Sequence, residues 1–248
     1  MKRKVLVLLS FGLLLSGCNE TSIENSTFIS SDESDEIIED FESMQESNIP
    51  SQSDTDKESE STSTDNQKFY YFDEDISIYI NPSVQYANLY TDSLGNEGQH
   101  MNDISKILVS MLDTYTNLQV YSNNAMPGLS LSKSVLESNN VKADYHLALH
   151  SNAGGGKGSE IFYTKSSYNF SKSVLESLNK ILPYKTRGLK DGSKSLYELK
   201  NTTASACLLE ILFHDDINQA KFIIDNKDKI AKSIYEGIVL YFLEKWYT

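Results

Sequence analysis

Two residues mark the places where this chain is best equipped for chemistry: a histidine that closes one apolar run and a glutamate that interrupts another. The run Ala143-Asp144-Tyr145-His146-Leu147-Ala148-Leu149 reads as a buried strand that ends at His150, followed by Ser151-Asn152-Ala153 and then Gly154, Gly155 and Gly156. That pattern presents an imidazole at the rim of a sheet, where α/β proteins keep their reactive groups. Glu210 stands between Ala206-Cys207-Leu208-Leu209 and Ile211-Leu212-Phe213. A carboxylate in such a setting needs a counter-charge, a proton or a metal-bound water. With a raised pKa it serves as a general base near neutral pH; a structural ion pair with Lys or Arg is the alternative reading. Gln85, after the first strand, and Glu97, at the start of the first long helix, are the other polar groups at element ends.

The elements that must position these groups are legible from periodicity. Ile76-Ser77-Ile78-Tyr79-Ile80 is a strand by its β-branched content, stopped by Asn81-Pro82. From Glu97 to about Tyr115, Met101, Ile104, Ile107, Leu108, Met111 and Leu112 recur at helical spacing. A strand at Leu118–Tyr121, a short helix near 130–139, the strand leading to His150, and a fourth strand at Gly158–Tyr163 follow. Asn169–Leu182 is helical, Arg187–Leu199 is looser, Ala204–Leu212 is a buried strand, and 217–247 supplies one or two closing helices. This alternation predicts an α/β fold: a single three-layer domain, with a mostly parallel twisted sheet and helices on both faces.

Composition divides the chain into three parts. Lys2, Arg3 and Lys4 precede an apolar stretch, Val5 to Leu15, that ends in Leu15-Ser16-Gly17-Cys18. This segment resembles a bacterial lipobox, which implies a signal peptide over 1–17 and lipidation of Cys18, with anchoring by several acyl chains. Residues 18–67 read as a disordered tether, since 19–67 carry 15 acidic residues against the single Lys57 and few large apolar side chains. Residues 68–248 are the folded domain and hold 18 basic and 20 acidic residues, so the chain's net charge of −13 belongs to the tether. The near-neutral domain excludes a nucleic-acid binder. Cys207, within an apolar run, is expected to be a small buried residue and not a catalytic thiol.

Beyond these readings, Ala148-Leu149-His150-Ser151-Asn152-Ala153, Gly158-Ser159-Glu160-Ile161-Phe162-Tyr163, Arg187-Gly188-Leu189-Lys190 and Leu208-Leu209-Glu210 follow the order found in zinc-dependent N-acetylmuramoyl-L-alanine amidases, the type 3 amidase family. The similarity runs from about Ile76 to the C-terminus. The resemblance implies a Zn2+ ion held by two His and one Glu, with a second Glu on the last strand activating water. It also implies cleavage of the amide between N-acetylmuramic acid and the first L-alanine of the peptidoglycan stem. Carried over by position, His150 matches the second His ligand, Glu97 the Glu ligand and Glu210 the catalytic Glu.

The first ligand departs from the family pattern. The usual Asp-Pro-Gly-His is here Asn81-Pro82-Ser83-Val84, and the next residue is Gln85, similar to a Pro-Ser-x-Gln sequence in a branch of the family. Gln85 offers an amide oxygen as the third ligand, and zinc sites prefer N or S. His100, three residues after Glu97 on the same helical face, is the alternative ligand or a solvated or hydrogen-bonding side chain. His146 shares a strand face with His150, but four strand residues span about 13 Å, too far for one ion.

Asn152 is a candidate contact for the scissile amide. Arg187, with Lys190, is a candidate for stem-peptide carboxylates or a lactyl oxygen, Lys190 reading equally as surface charge. His214 is placed either to orient or protonate substrate or to cap the next helix. The resemblance thus implies a peptidoglycan hydrolase, lipid-anchored through Cys18 at the extracytoplasmic face of the bacterial cell membrane. The alternative is an inactive amidase fold that binds wall fragments or a partner protein.

Overall fold

Isoleucines at 76, 78 and 80 alternate with Ser77, Tyr79 and Asn81, and this period of two sorts the first strand into an apolar and a polar face. The computed structural model describes residues 72, 74–123 and 129–244; the expected signal peptide, Cys18 and the tether lie outside the described residues. In chain order the elements are β1 (Ile76–Pro82), α1 (Glu97–Leu112), β2 (Leu118–Ser122), α2 (Leu131–Asn140), β3 (Tyr145–Asn152), β4 (Glu160–Tyr163), α3 (Tyr168–Asn179), β5 (Gly188–Asp191), α4 (Tyr197–Asn201), β6 (Ser205–Phe213), α5 (Ile217–Asp225) and α6 (Lys227–Glu244).

The strands form one six-stranded sheet in the order β2-β1-β3-β6-β4-β5. Every pairing is parallel except β4 with β6. The exception follows from chain length: between β3 and β4 lies only a short glycine-rich loop, too short for the crossover a parallel return requires. Gly158 makes this loop possible. It adopts φ +89°, and a Cβ there would lie 2.0 Å from the Lys185 carbonyl oxygen.

The two faces of the sheet are unequal. Ile78, Ile80, Leu147, Leu149, Leu209 and Ile211 join the main core, into which Leu108, Val174, Ile234 and Phe242 of α1, α3 and α6 pack. Truncating a side chain such as Leu147 to Ala would cost about 2–5 kcal/mol. The opposite face has a much smaller apolar cluster, Ala148, Leu199, Ala206 and Leu208, beneath α4. His146 and His150 share that face with Ala148, so the thin side of the sandwich is the polar side.

The α/β reading of the sequence agrees with the architecture. β5 and α4 emerge from the section read as loose, because four and five residues are too few to show a period.

Candidate functional site

The carboxyl ends of β1, β3 and β6 meet on the thin face, and the side chains there form a buried polar cluster. His150 is its centre. On one side of the ring, His150 Nδ1 lies 2.8 Å from Glu97 Oε1 and 3.3 Å from Gln85 Nε2. On the other side, His150 Nε2 lies 3.3 Å from Glu198 Oε2. Burial opposes charge on the imidazole, but the two flanking carboxylates prevail and hold its pKa well above the ordinary value.

Local structure explains each placement. Asn96 caps α1 by accepting from the Gln99 amide at 2.9 Å, which sets Glu97 at the first helical position. There the positive end of the helix dipole favours a carboxylate. Asn88 Nδ2 donates to Glu97 Oε2 at 2.7 Å and to Gln85 Oε1 at 3.0 Å, tying the loop after β1 to the helix start. Burial would raise the Glu97 pKa; hydrogen bonds from His150, Asn88 and Ser83 outweigh it and hold the group below its usual value.

Glu210 is the register partner of His150 across β3–β6, and Glu160 is its partner across β6–β4. The three side chains therefore emerge in a row from one face. Oε2 of Glu210 is buried without a hydrogen-bond partner. Burial is the main reason its pKa rises to about 7; His150 opposes the shift, while Glu97, Glu160 and Glu198 add to it. A carboxylate whose pKa lies near neutrality is suited to general-base work.

The other sequence candidates divide. Asn152 Nδ2 donates to Glu160 Oε1 at 2.7 Å while its Oδ1 accepts from the Ala153 amide, so both ends of the side chain are engaged within the chain. Arg187 Nε donates to Glu160 Oε2 at 2.9 Å with the guanidinium over the Phe213 ring, and Lys190 Nζ pairs with the same oxygen. Both cations remain partly exposed, and Glu160 anchors them next to Glu210.

Two candidates that the sequence left with two readings each are engaged within the chain. His100 is not the third ligand: its Nε2 is 2.6 Å from the Leu94 carbonyl oxygen and its ring leans on Tyr90. His214 is buried, stacks on Tyr90 and places Nδ1 3.0 Å from Ser151 Oγ at the end of β3, and the next helix is capped by Asp216 instead. Cys207 is buried as expected, and burial pushes its thiol up to about 12.

Glu198 escaped the sequence reading. It lies in Leu196-Tyr197-Glu198-Leu199, a carboxylate between apolar neighbours, which is the same signal that singled out Glu210. It is buried, and its contacts with His146 and His150 outweigh burial to bring its pKa down to about 2. Glu160 and Asn81 were missed in the same way.

Among the described residues, no three His, Cys, Asp or Glu side chains form a metal-binding group. Glu97 and His150 bring a carboxylate oxygen and a ring nitrogen within 2.8 Å, while Gln85 turns its amide nitrogen toward Nδ1 and its oxygen toward Asn88 Nδ2. The carboxylate and the imidazole are zinc donors, and Gln85 becomes a third, weaker one only with its amide oxygen turned inward.

The family model described as N-acetylmuramoyl-L-alanine amidase matches residues 89–239. The match begins at residue 89, within the segment that joins β1 to α1, so it excludes the divergent stretch that holds Gln85. The amidase CwlM of Bacillus licheniformis is 29% identical over 116 residues, 45% of this chain and 45% of the relative. The germination-specific N-acetylmuramoyl-L-alanine amidase of Bacillus subtilis is 30% identical over 115 residues, 43% of this chain and 48% of the relative. The chain thus matches less than half the length of these curated relatives. Among solved structures, the amidase AmiC2 of Nostoc punctiforme superposes with a TM-score of 0.62 at 17% identity, covering 68% of this chain and 98% of that one. The catalytic domain of CwlV from Bacillus (Paenibacillus) polymyxa gives 0.60 at 19% identity, covering 67% and 97%. These two likenesses concern the fold.

Proposed function

The chain belongs to the N-acetylmuramoyl-L-alanine amidase family, and from that membership we propose that it hydrolyses the amide between N-acetylmuramic acid and L-alanine in peptidoglycan. The observation that carries the reading is Glu210: one oxygen is buried and unpartnered, the pKa is near 7, and His150 stands directly across the strand pair. Glu97 and His150, with Gln85 turned to present its amide oxygen, would hold a zinc ion, which supplies a Lewis acid that acidifies water and polarises the amide carbonyl. Glu210 takes the proton from water and passes it to the departing amine of L-alanine. Glu97 stays ionised through this exchange because its own pKa is held low. Arg187, anchored through Nε by Glu160, offers its exposed guanidinium to a stem-peptide carboxylate.

The proposal extends to location. Anchoring through Cys18, with 18–67 as a solvated leash, would let the domain reach a wall layer outside the cytoplasmic membrane.

The test is digestion of purified peptidoglycan by the zinc-supplemented full chain, with mass spectrometry of the products. Release of stem peptides bearing a free L-alanine amino terminus, lost in Glu210→Gln, is the expected result. A second reading, an inactive amidase fold that binds wall fragments, is favoured by Val84 and Gln85 standing where the family pattern has its first His. Wall binding without any stem-peptide release, at full zinc occupancy, would establish that reading instead.

A further inference from the structure

Glu160 holds more positive charge than one carboxylate neutralises. Its Oε2 accepts from Arg187 Nε at 2.9 Å and from Lys190 Nζ, while its Oε1 accepts from Asn152 Nδ2 at 2.7 Å. Burial would raise the Glu160 pKa; Lys190 and Arg187 outweigh it and keep the group ionised. Two cationic nitrogens bonded to one oxygen lie within roughly 6 Å of each other. A structural ion pair has no use for the second cation, because like charges held this close repel. The trio is left with one positive charge over. Arg187 commits only Nε to Glu160, so its two Nη groups keep their donors, and Lys190 keeps N–H bonds beyond the one it gives. The Phe213 ring lies under the guanidinium at 5.1 Å and the Phe162 ring under Lys190 Nζ at 5.5 Å, covering one side of each cation. Both side chains are 39% exposed, enough for a ligand to reach them.

Register gives this charge its place beside the chemistry. Glu160 pairs with Glu210 across β4 and β6, and Phe162, on the same face of β4, pairs with Lys190 of β5. Glu160 therefore holds both cation heads one strand spacing, about 4.8 Å, from the strand of the base. That is the length of one to two residues of extended chain. We propose that Arg187 and Lys190 together form an anion subsite for a free carboxylate on the stem residue next to L-alanine, so that the protein discriminates a stem bearing that carboxylate from one in which it is amidated. A carboxylate set between the two cations gains charge-assisted hydrogen bonds, bidentate on the guanidinium, and neutralises the charge that Glu160 leaves over. An amide in its place turns N–H donors toward the N–H donors of Arg187 and Lys190.

This subsite rests on the amidase reading, and the experiment separates the two. Two synthetic muramoyl peptides are compared that differ only in the free or amidated carboxylate of the residue after L-alanine. The zinc-supplemented full chain is assayed for kcat and KM on each, and for binding of each by calorimetry. The expected result is a KM about 10-fold or more lower for the free carboxylate, with kcat changed less, and a preference that shrinks as salt is added. The preference should collapse toward unity in Lys190→Met and in Arg187→Gln and persist in Lys190→Arg. Equal KM values for the two peptides in the wild type, or a preference that survives both Lys190→Met and Arg187→Gln, would overturn the proposal. If neither short peptide is cleaved, calorimetry decides: tighter binding of the free carboxylate upholds the subsite, and equal binding or none overturns it. Failure to cleave purified wall as well counts against the hydrolase reading, separately from that outcome.

Discussion

Glu210 and His150 are register partners on the parallel strands β6 and β3, so the base and the imidazole project from the same sheet face at the same level. No loop intervenes between them, and their separation is set by backbone hydrogen bonds. A reactive pair held by neighbouring strands is pre-organised before any substrate arrives.

Glu210→Gln is predicted to lower wall hydrolysis by about 10²–10⁴-fold, the range for losing a general base. In the wild type, activity should rise as pH increases through about 7, since the base must be ionised. Stability should move the other way. The folded-state pKa lies above the ordinary 4.5, so the folded chain binds the proton more tightly, and stability falls as pH rises from about 4.5 through about 7. Glu210→Gln removes this decline. Rates of stem-peptide release and urea denaturation, each across pH 5–9, check both signs.

Gln85 and His100 make opposite predictions for zinc. Gln85→Ala should weaken zinc binding about tenfold or more, and Gln85→His should strengthen it by exchanging an amide for an imidazole. His100→Ala should leave affinity within about twofold while lowering stability by about 1–3 kcal/mol through the Leu94 hydrogen bond and the packing on Tyr90. Calorimetric titration beside thermal denaturation distinguishes these outcomes.

Tyr90 and His214 form a buttress beneath Ser151. Tyr90→Phe removes a buried 2.9 Å hydrogen bond to Ser151 Oγ and should cost about 1 kcal/mol. His214→Ala should destabilise by about 1–3 kcal/mol, leaving a buried Ser151 hydroxyl short of a partner. Neither should raise KM for wall fragments by more than about twofold at temperatures where the variant is folded; a much larger rise in His214→Ala would return that residue to the substrate site.

Gly158→Ala should destabilise the fold by at least about 1–3 kcal/mol, from the positive φ alone. The 2.0 Å approach of its Cβ to the Lys185 carbonyl oxygen adds to that. Because this loop turns β4 antiparallel and delivers Glu160, activity should fall with stability. Chemical denaturation and hydrolysis assays on the same preparation test the pairing.

The legible parts of the fold were those with a period long enough to count. β1 is rich in β-branched residues, β3 is an apolar run closed by His150, α1 repeats at helical spacing, and Glu210 stands out because carboxylates are rare within apolar runs. β5 and α4 carry no such signal, and α4 is the element that delivers Glu198.

His150, Glu97 and Glu210 could be named from the sequence because each marks an element end or breaks an apolar run, and local composition alone determines that. Which groups meet them could not be read in that way. His100 sits on the correct helix turn, yet it faces Leu94 and Tyr90; Glu198 sits on the five-residue helix α4, too short to show a period, yet it closes on His150. The sheet order brings β1, β3 and β6 side by side and lays α4 across their thin face, bringing together residues that the chain keeps far apart. Side-chain type is written in the sequence, but which side chain becomes another's partner is decided by where the backbone crosses itself.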